Sequence, residues 1–144
     1  MMLISHRGNL MGKIPEKENT PNYIDAAISS GFDVEVDLWF NDGKFFLGHD
    51  LPENEIEISW IRERSEKLWI HAKNSGALEN LMETDLHYFF HADDMATITS
   101  KGFVWVYPGK QPIKNSIAVL PELFDDQISQ CYGVCSDFIL KHKK

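Results

Sequence analysis

Gly31-Phe32-Asp33-Val34-Glu35-Val36-Asp37-Leu38 alternates acid and aliphatic residues at every step from Asp33 onward. In an extended strand, successive side chains point to opposite faces. Val34, Val36 and Leu38 therefore share one face, suited to packing beneath helices, and Asp33, Glu35 and Asp37 share the other. A strand with its polar face in water would alternate in the same way. The completeness of the apolar alternation and the motifs on either side weigh toward a buried site. Two carboxylates one step apart on an inward face can hold one hard divalent cation.

Working outward, Met2 to Ser5 reads as a first strand, ending in His6-Arg7-Gly8. A loop with Gly12 and Pro15 follows, then Glu18-Asn19-Thr20. Thr20-Pro21 starts a helix, with Thr20 as cap and proline at the first helical position, where its missing N–H has no partner to lose. Tyr23, Ile24, Ala27 and Ile28 form its apolar face, and Gly31 ends it. On the other side, Asn41-Asp42-Gly43-Lys44 is a hairpin-turn signal that folds Phe45 to Leu47 back on the strand. A three-residue loop would set His49 opposite Asp37. A two-residue loop would set it opposite Val36, on the wrong face, so the site needs the first register or a bulge.

Further strands are expected at Leu68–Ala72, Tyr88–His91, Phe103–Tyr107, Ile117–Leu120 and Val134–Ile139. Short helical patterns lie between them. Ser59 and Ser75 are candidate caps, Asp93 or Asp94 a third start, and Pro121 opens a last helix with Leu123, Phe124 and Ile128 facing inward. His91 ends one strand and is placed toward the mouth. Strand–helix alternation argues for an α/β protein with a parallel sheet and helices outside. No Gly-x-Gly-x-x-Gly follows the first strand, which disfavours a dinucleotide-binding sheet. A full (β/α)8 barrel usually takes about 250 residues. With 144 residues the expectation is one domain: a compact TIM-like barrel of about seven to eight strands, with shortened or missing helices.

The formal net charge of -8 argues against a nucleic-acid partner or an anionic-membrane surface. An anionic small molecule stays possible, because a bound cation reverses the field inside one pocket. No stretch approaches the roughly 18 apolar residues of an integral membrane segment. Met1 to His6 lacks the features of a secretory leader, so a cytoplasmic setting is expected. Cys131 and Cys135 match no strong zinc or redox spacing and read as reduced core residues.

Two histidines flanking a carboxylate pair suit proton transfer near neutral pH. Arg7 offers a planar fork for phosphate oxygens. In their order and spacing, His-Arg-Gly, Glu-Asn-Thr, Gly-x-Asp-x-Glu-x-Asp, Asp-Gly and His-Asp resemble the glycerophosphodiester phosphodiesterase family over residues 3–50. Downstream, Leu68 to Lys73 resembles that family's third strand and Gly133 to Asp137 its last. The resemblance implies a TIM barrel that hydrolyses phosphodiesters with a divalent cation, Mg2+ or Ca2+. On matching positions it implies His6 and His49 as the acid/base pair and Glu35 and Asp37 as metal ligands. Arg7 and Lys73 would bind the substrate phosphate, and Glu18 would order the site.

His71 stands where the family supplies a third carboxylate. Imidazole admits Mn2+ or Zn2+ as alternatives. The expected substrate is a small-molecule phosphodiester: a glycerophosphodiester, a sugar phosphodiester or a lipid headgroup. Two other outcomes fit the same motifs, a lyase that stops at a cyclic phosphate and an inactive domain that only binds a phosphate ligand. Missing helices would also bare apolar surface for a homo-oligomer to cover.

Overall fold

A computed structural model describes residues 1–144. The chain forms ten strands: β1 (Met2–His6), β2 (Asp33–Asn41), β3 (Lys44–Leu47), β4 (Asn54–Ile56), β5 (Leu68–Ala72), β6 (Tyr88–Phe90), β7 (Ala96–Ile98), β8 (Val104–Val106), β9 (Ile117–Val119) and β10 (Gly133–Ser136). They make one mixed sheet. Parallel pairing runs through β6, β5, β2, β1, β10, β9 and β8, in that spatial order. The antiparallel arm of β3 and β4 extends from the C-terminal half of β2, and β7 returns antiparallel on β8. β6 and β7 face each other without a ladder. They are stitched by isolated bonds: just past β7, Ser100 N–H donates to the Tyr88 carbonyl at 2.7 Å and Ser100 Oγ accepts the Tyr88 N–H at 2.9 Å, and Thr97 Oγ1–H donates to the Phe90 carbonyl at 3.1 Å.

This overturns the expected TIM-like barrel of alternating strands and helices. The fold is a curled mixed half-barrel with only three short α-helices. These are α1 (Pro21–Ser29), α2 (Ile58–Arg62) and α3 (Ser75–Met82). The expected start at Asp93 or Asp94 gives a bend and then β7. The helix expected at Pro121 is a single 3-10 turn, Pro121–Leu123, and Leu123 and Phe124 are exposed rather than inward. The physical reason is length. Helices below about 12 residues hold only when an amphipathic face packs on something. Only the segments beside β2 and β5 carry such a face.

All three expected caps differ, and Ser59 lies inside α2, whose N-cap position is Glu57. Thr20 Oγ1 donates back to the Lys17 carbonyl at 2.6 Å instead of capping α1. Asn74, not Ser75, caps α3, its Oδ1 accepting the Ala77 N–H at 3.0 Å. No helix is long and apolar enough to cross a membrane.

The alternation of β2 divides the core as expected. Val34, Val36 and Leu38 pack outward against Ile24 and Ala27 of α1, Ile61 of α2, and Ala77 and Leu81 of α3. Inside, Ile4, Trp69, Phe89, Trp105, Ile117, Val119 and Cys135 form a second cluster. Those seven residues come from six strands, β1, β5, β6, β8, β9 and β10. They meet only because the sheet curls.

His87 is buried beside this inner cluster, its ring 4.1 Å from Trp69 and its Nε2 2.7 Å from Thr99 Oγ1. Burial, helped by nearby Lys101, lowers its pKa to about 4. A lowered histidine pKa favours the neutral form. The stability this gives is complete above the unfolded value of about 6.5 and is lost as pH falls toward 4. The shift bounds that loss at about 3 kcal/mol. Urea denaturation at pH 7 and pH 4.5 checks it. The wild type is expected to lose more stability than His87→Gln, and equal losses would exclude the mechanism.

Candidate functional site

Glu35 and Asp37 lie on the inner face of β2, 2% and 0% exposed. Register brings His6 on β1 level with Glu35, and His71 on β5 level with Asp37. Asn19 grips Asp37 twice: its Nδ2 donates to Oδ2 at 2.9 Å, and its Oδ1 accepts the Asp37 N–H at 3.0 Å. Arg7 Nε lies 3.1 Å from the same Oδ2, and Arg7 Nη1 donates to Glu18 at 3.1 Å. Two guanidinium nitrogens are thus already engaged by carboxylates. Glu18 touches the site through Arg7. Lys73 Nζ stands 3.9 Å from Asp37 Oδ1.

The two carboxyls differ sharply in environment. Burial alone would raise the Asp37 pKa, but His71, Arg7 and Asn19 outweigh it and hold the group far below the ordinary range. Glu35 has no such support. Burial first, and the neighbouring Asp37 charge second, push its pKa well up.

His6 is fixed by a residue 131 positions away. Its Nδ1 is 2.7 Å from Asp137 Oδ1, which also accepts the Asn9 Nδ2–H at 2.9 Å. A carboxylate accepts, so the proton sits on Nδ1. His6 Nε2 then faces Glu35 Oε2 at 3.6 Å. Burial would raise the Asp137 pKa, but the bonds from His6 and Asn9 win and lower it. Glu122, in the Pro121–Leu123 turn, accepts the Ser136 hydroxyl and the Asp137 N–H, both at 3.0 Å, and pins the end of β10.

His49 arrives by neither of the two expected registers alone. The hairpin uses the two-residue loop, Asp42 and Gly43 both left-handed, with Asn41 opposite Lys44. That would aim His49 away, but the ladder stops at Leu47 and the chain turns at Gly48. A Cβ at Gly48 would run into the Leu51 carbonyl, so glycine permits the tight turn. His49 reaches the same cavity as His6, Arg7, Glu35 and His71. Its Nδ1 pairs with Asp50 at 2.7 Å and its side chain is 43% exposed. Burial and then the Arg7 charge lower its pKa.

The cavity holds about 120 Å³. His91, Trp105, Tyr107, Pro108 and Leu120 form the wall away from the carboxylates. His91 therefore reaches the mouth, as its place at a strand end predicts.

Every residue singled out from the sequence converges here. Two others were missed. Asn19 lies inside a quoted motif without a role, and Asp137 directly follows β10, within the Gly133 to Asp137 stretch already singled out.

A cation fits the residues present. Glu35 Oε2 and Asp37 Oδ1 are buried and have no hydrogen-bond partner. The ligand atoms offered by Glu35, Asp37 and His71 all lie within 4.8 Å of one another. No protein-family model, curated protein or solved structure matches this chain. The functional reading therefore rests on the site itself and on the motif resemblance.

Proposed function

We propose that the protein hydrolyses a small phosphodiester with a divalent cation held by Glu35, Asp37 and His71. One observation carries this reading: two buried, unpartnered carboxylate oxygens lie close to His71, and one of them faces His6, whose tautomer Asp137 fixes. A cation held there would polarise the phosphoryl oxygens and neutralise the charge that builds on them.

The side chains supply the proton transfers. His49, kept neutral by its lowered pKa, accepts the proton of the attacking oxygen. His6, in its imidazolium form, gives its Nε2 proton to the leaving alkoxide while Asp137 holds Nδ1. Lys73 adds positive charge beside Asp37. The 120 Å³ cavity is a few water volumes, at about 30 Å³ each, enough for a phosphoryl group and a short alcohol. Trp105 and Tyr107 offer an apolar and aromatic wall to that alcohol.

The test is a panel of glycero-, sugar and lipid-headgroup phosphodiesters with added divalent cations. Turnover is expected, with abolition by chelator. His49→Ala is expected to lower kcat by about 10²- to 10⁴-fold. No turnover with any substrate and metal would overturn the proposal. A phosphorus NMR time course identifies the attacking oxygen, since a persistent cyclic phosphate means a lyase.

One observation favours a second reading. His49 is half exposed and tied only to Asp50, a loose mount for a catalytic base. A phosphate-binding domain without turnover would give saturable ligand binding and no product.

A further inference from the structure

We infer that the site selects a transition ion between Mn2+ and Zn2+ over the Mg2+ or Ca2+ that the motif resemblance implies. This rests on the cation site of the preceding reading and is independent of turnover. The determinant is His71, through both of its nitrogens.

His71 Nε2 lies 3.2 Å from the His91 carbonyl oxygen. A carbonyl can only accept, so Nε2 carries the proton and donates. In the neutral ring, Nδ1 is then a bare lone pair. It faces Asp37 Oδ1 at 3.3 Å, another acceptor, and that oxygen has no hydrogen-bond partner. Glu35 Oε2 is the third acceptor in the group and is equally unpartnered. The three ligand atoms lie within 4.8 Å of one another, a spacing that suits one shared cation.

The nearest lysine falls short of these atoms. Lys73 Nζ, at 3.9 Å, is beyond hydrogen-bond reach. A cation bound by all three atoms satisfies them together.

The ring is also held as a ligand ring is. Metal-bound histidines usually donate their second N–H to a carbonyl or carboxylate, which fixes tautomer and orientation. The His91 carbonyl does this here. Phe89 stacks on the ring, with centroids 4.9 Å apart and planes 22° from parallel, and sets its plane. One imidazole nitrogen with two carboxylate oxygens is a mixed donor set. Mg2+ and Ca2+ favour oxygen, while imidazole suits Zn2+, Ni2+ and neighbouring ions.

Any nitrogen-containing site binds late transition ions more tightly than Mg2+, so affinity alone decides nothing. The test is therefore a comparison. Co2+ and Mg2+ titrations by calorimetry on wild type and His71→Glu are expected to show the Co2+-to-Mg2+ affinity ratio falling at least about tenfold in the variant. An unchanged ratio would overturn the inference. Pulsed EPR of the Mn2+-loaded wild type reads nitrogen ligation directly and needs no variant to fold. Imidazole coupling is expected, and its absence overturns the inference. Neither measurement uses hydrolysis, so an inactive protein that shows both effects would sink the phosphodiesterase reading alone. A protein that binds no cation would sink both.

Discussion

Asp37→Ala is expected to destabilise the metal-free protein by about 3–5 kcal/mol, while Glu35→Gln leaves stability unchanged or raises it. Both residues belong to the same proposed cation site, yet they stand differently toward the fold. Asp37 is fully buried and organises Arg7, Asn19 and His71 around it. Removing it takes the carboxylate from beside Arg7 Nε, leaving that charge to Glu18 alone, and the side-chain acceptor from Asn19 Nδ2. Glu35 is buried beside a like charge, and one of its oxygens has no partner. A neutral amide of the same shape relieves that repulsion.

The pH dependence follows from the directions of the two shifts. The depressed Asp37 pKa contributes stability above the ordinary carboxylate range, and that stability is lost as pH falls through it. The raised Glu35 pKa does the reverse. Its contribution is complete below the ordinary value and is lost as pH rises through the folded one. Glu35→Gln should therefore gain on wild type as pH rises from 5 to 8. Urea melts in chelator across that range check it. A Glu35→Gln protein that is several kcal/mol weaker than wild type at pH 8 would show that Glu35 is supported by something other than a cation.

The second large effect is catalytic and depends on the proposed hydrolysis. His6→Ala is expected to lower kcat by about 10²- to 10⁴-fold with little change in fold, since His6 fills a site rather than the core. Asp137 should act through it as a positioning residue. Asp137→Ala removes the acceptor that keeps the proton on Nδ1, and Nε2 loses its defined role. Asp137→Asn is milder, because His6 and Asn9 both donate to Oδ1 and an amide oxygen can take that place. The expected order of kcat is wild type, then Asp137→Asn, then Asp137→Ala. The pH profile should shift in both variants. If Asp137→Ala keeps the wild-type rate and profile, the tautomer is set by something else.

Much of the site was legible because it is written locally. The period of two in Asp33 to Leu38 separates helix-facing from inward residues, and the structure divides its two clusters along that line. Strand β5 has its expected bounds, and β10 starts one residue early but stops at Ser136, with Ile139 opening a 3-10 turn instead of ending the strand. What failed was the assumption that each parallel strand is followed by a helix. The segments after β6, β8 and β9 are too short, or too poor in one-sided apolar residues, to hold a helix against the sheet. Asp137 was missed for a different reason. Its partner His6 lies at the opposite end of the chain, and no periodicity links the two. The hairpin shows a third limit. Its turn type was readable from Asn-Asp-Gly-Lys, but the interruption at Gly48 depends on the approach of Leu51, a contact that no strand pattern encodes.

The stitched boundary between β6 and β7 bears on how the molecule breathes. Where a ladder is replaced by isolated bonds, local opening takes the least free energy, and amide exchange there should outpace that of β1, β2 and β10. His91 directly follows β6, and its carbonyl is the clamp on the His71 ring. Parting the two strands would free that clamp. The same fluctuation that exposes backbone to solvent would then loosen the His71 ring, tying the lifetime of any ion held there to the seam between β6 and β7.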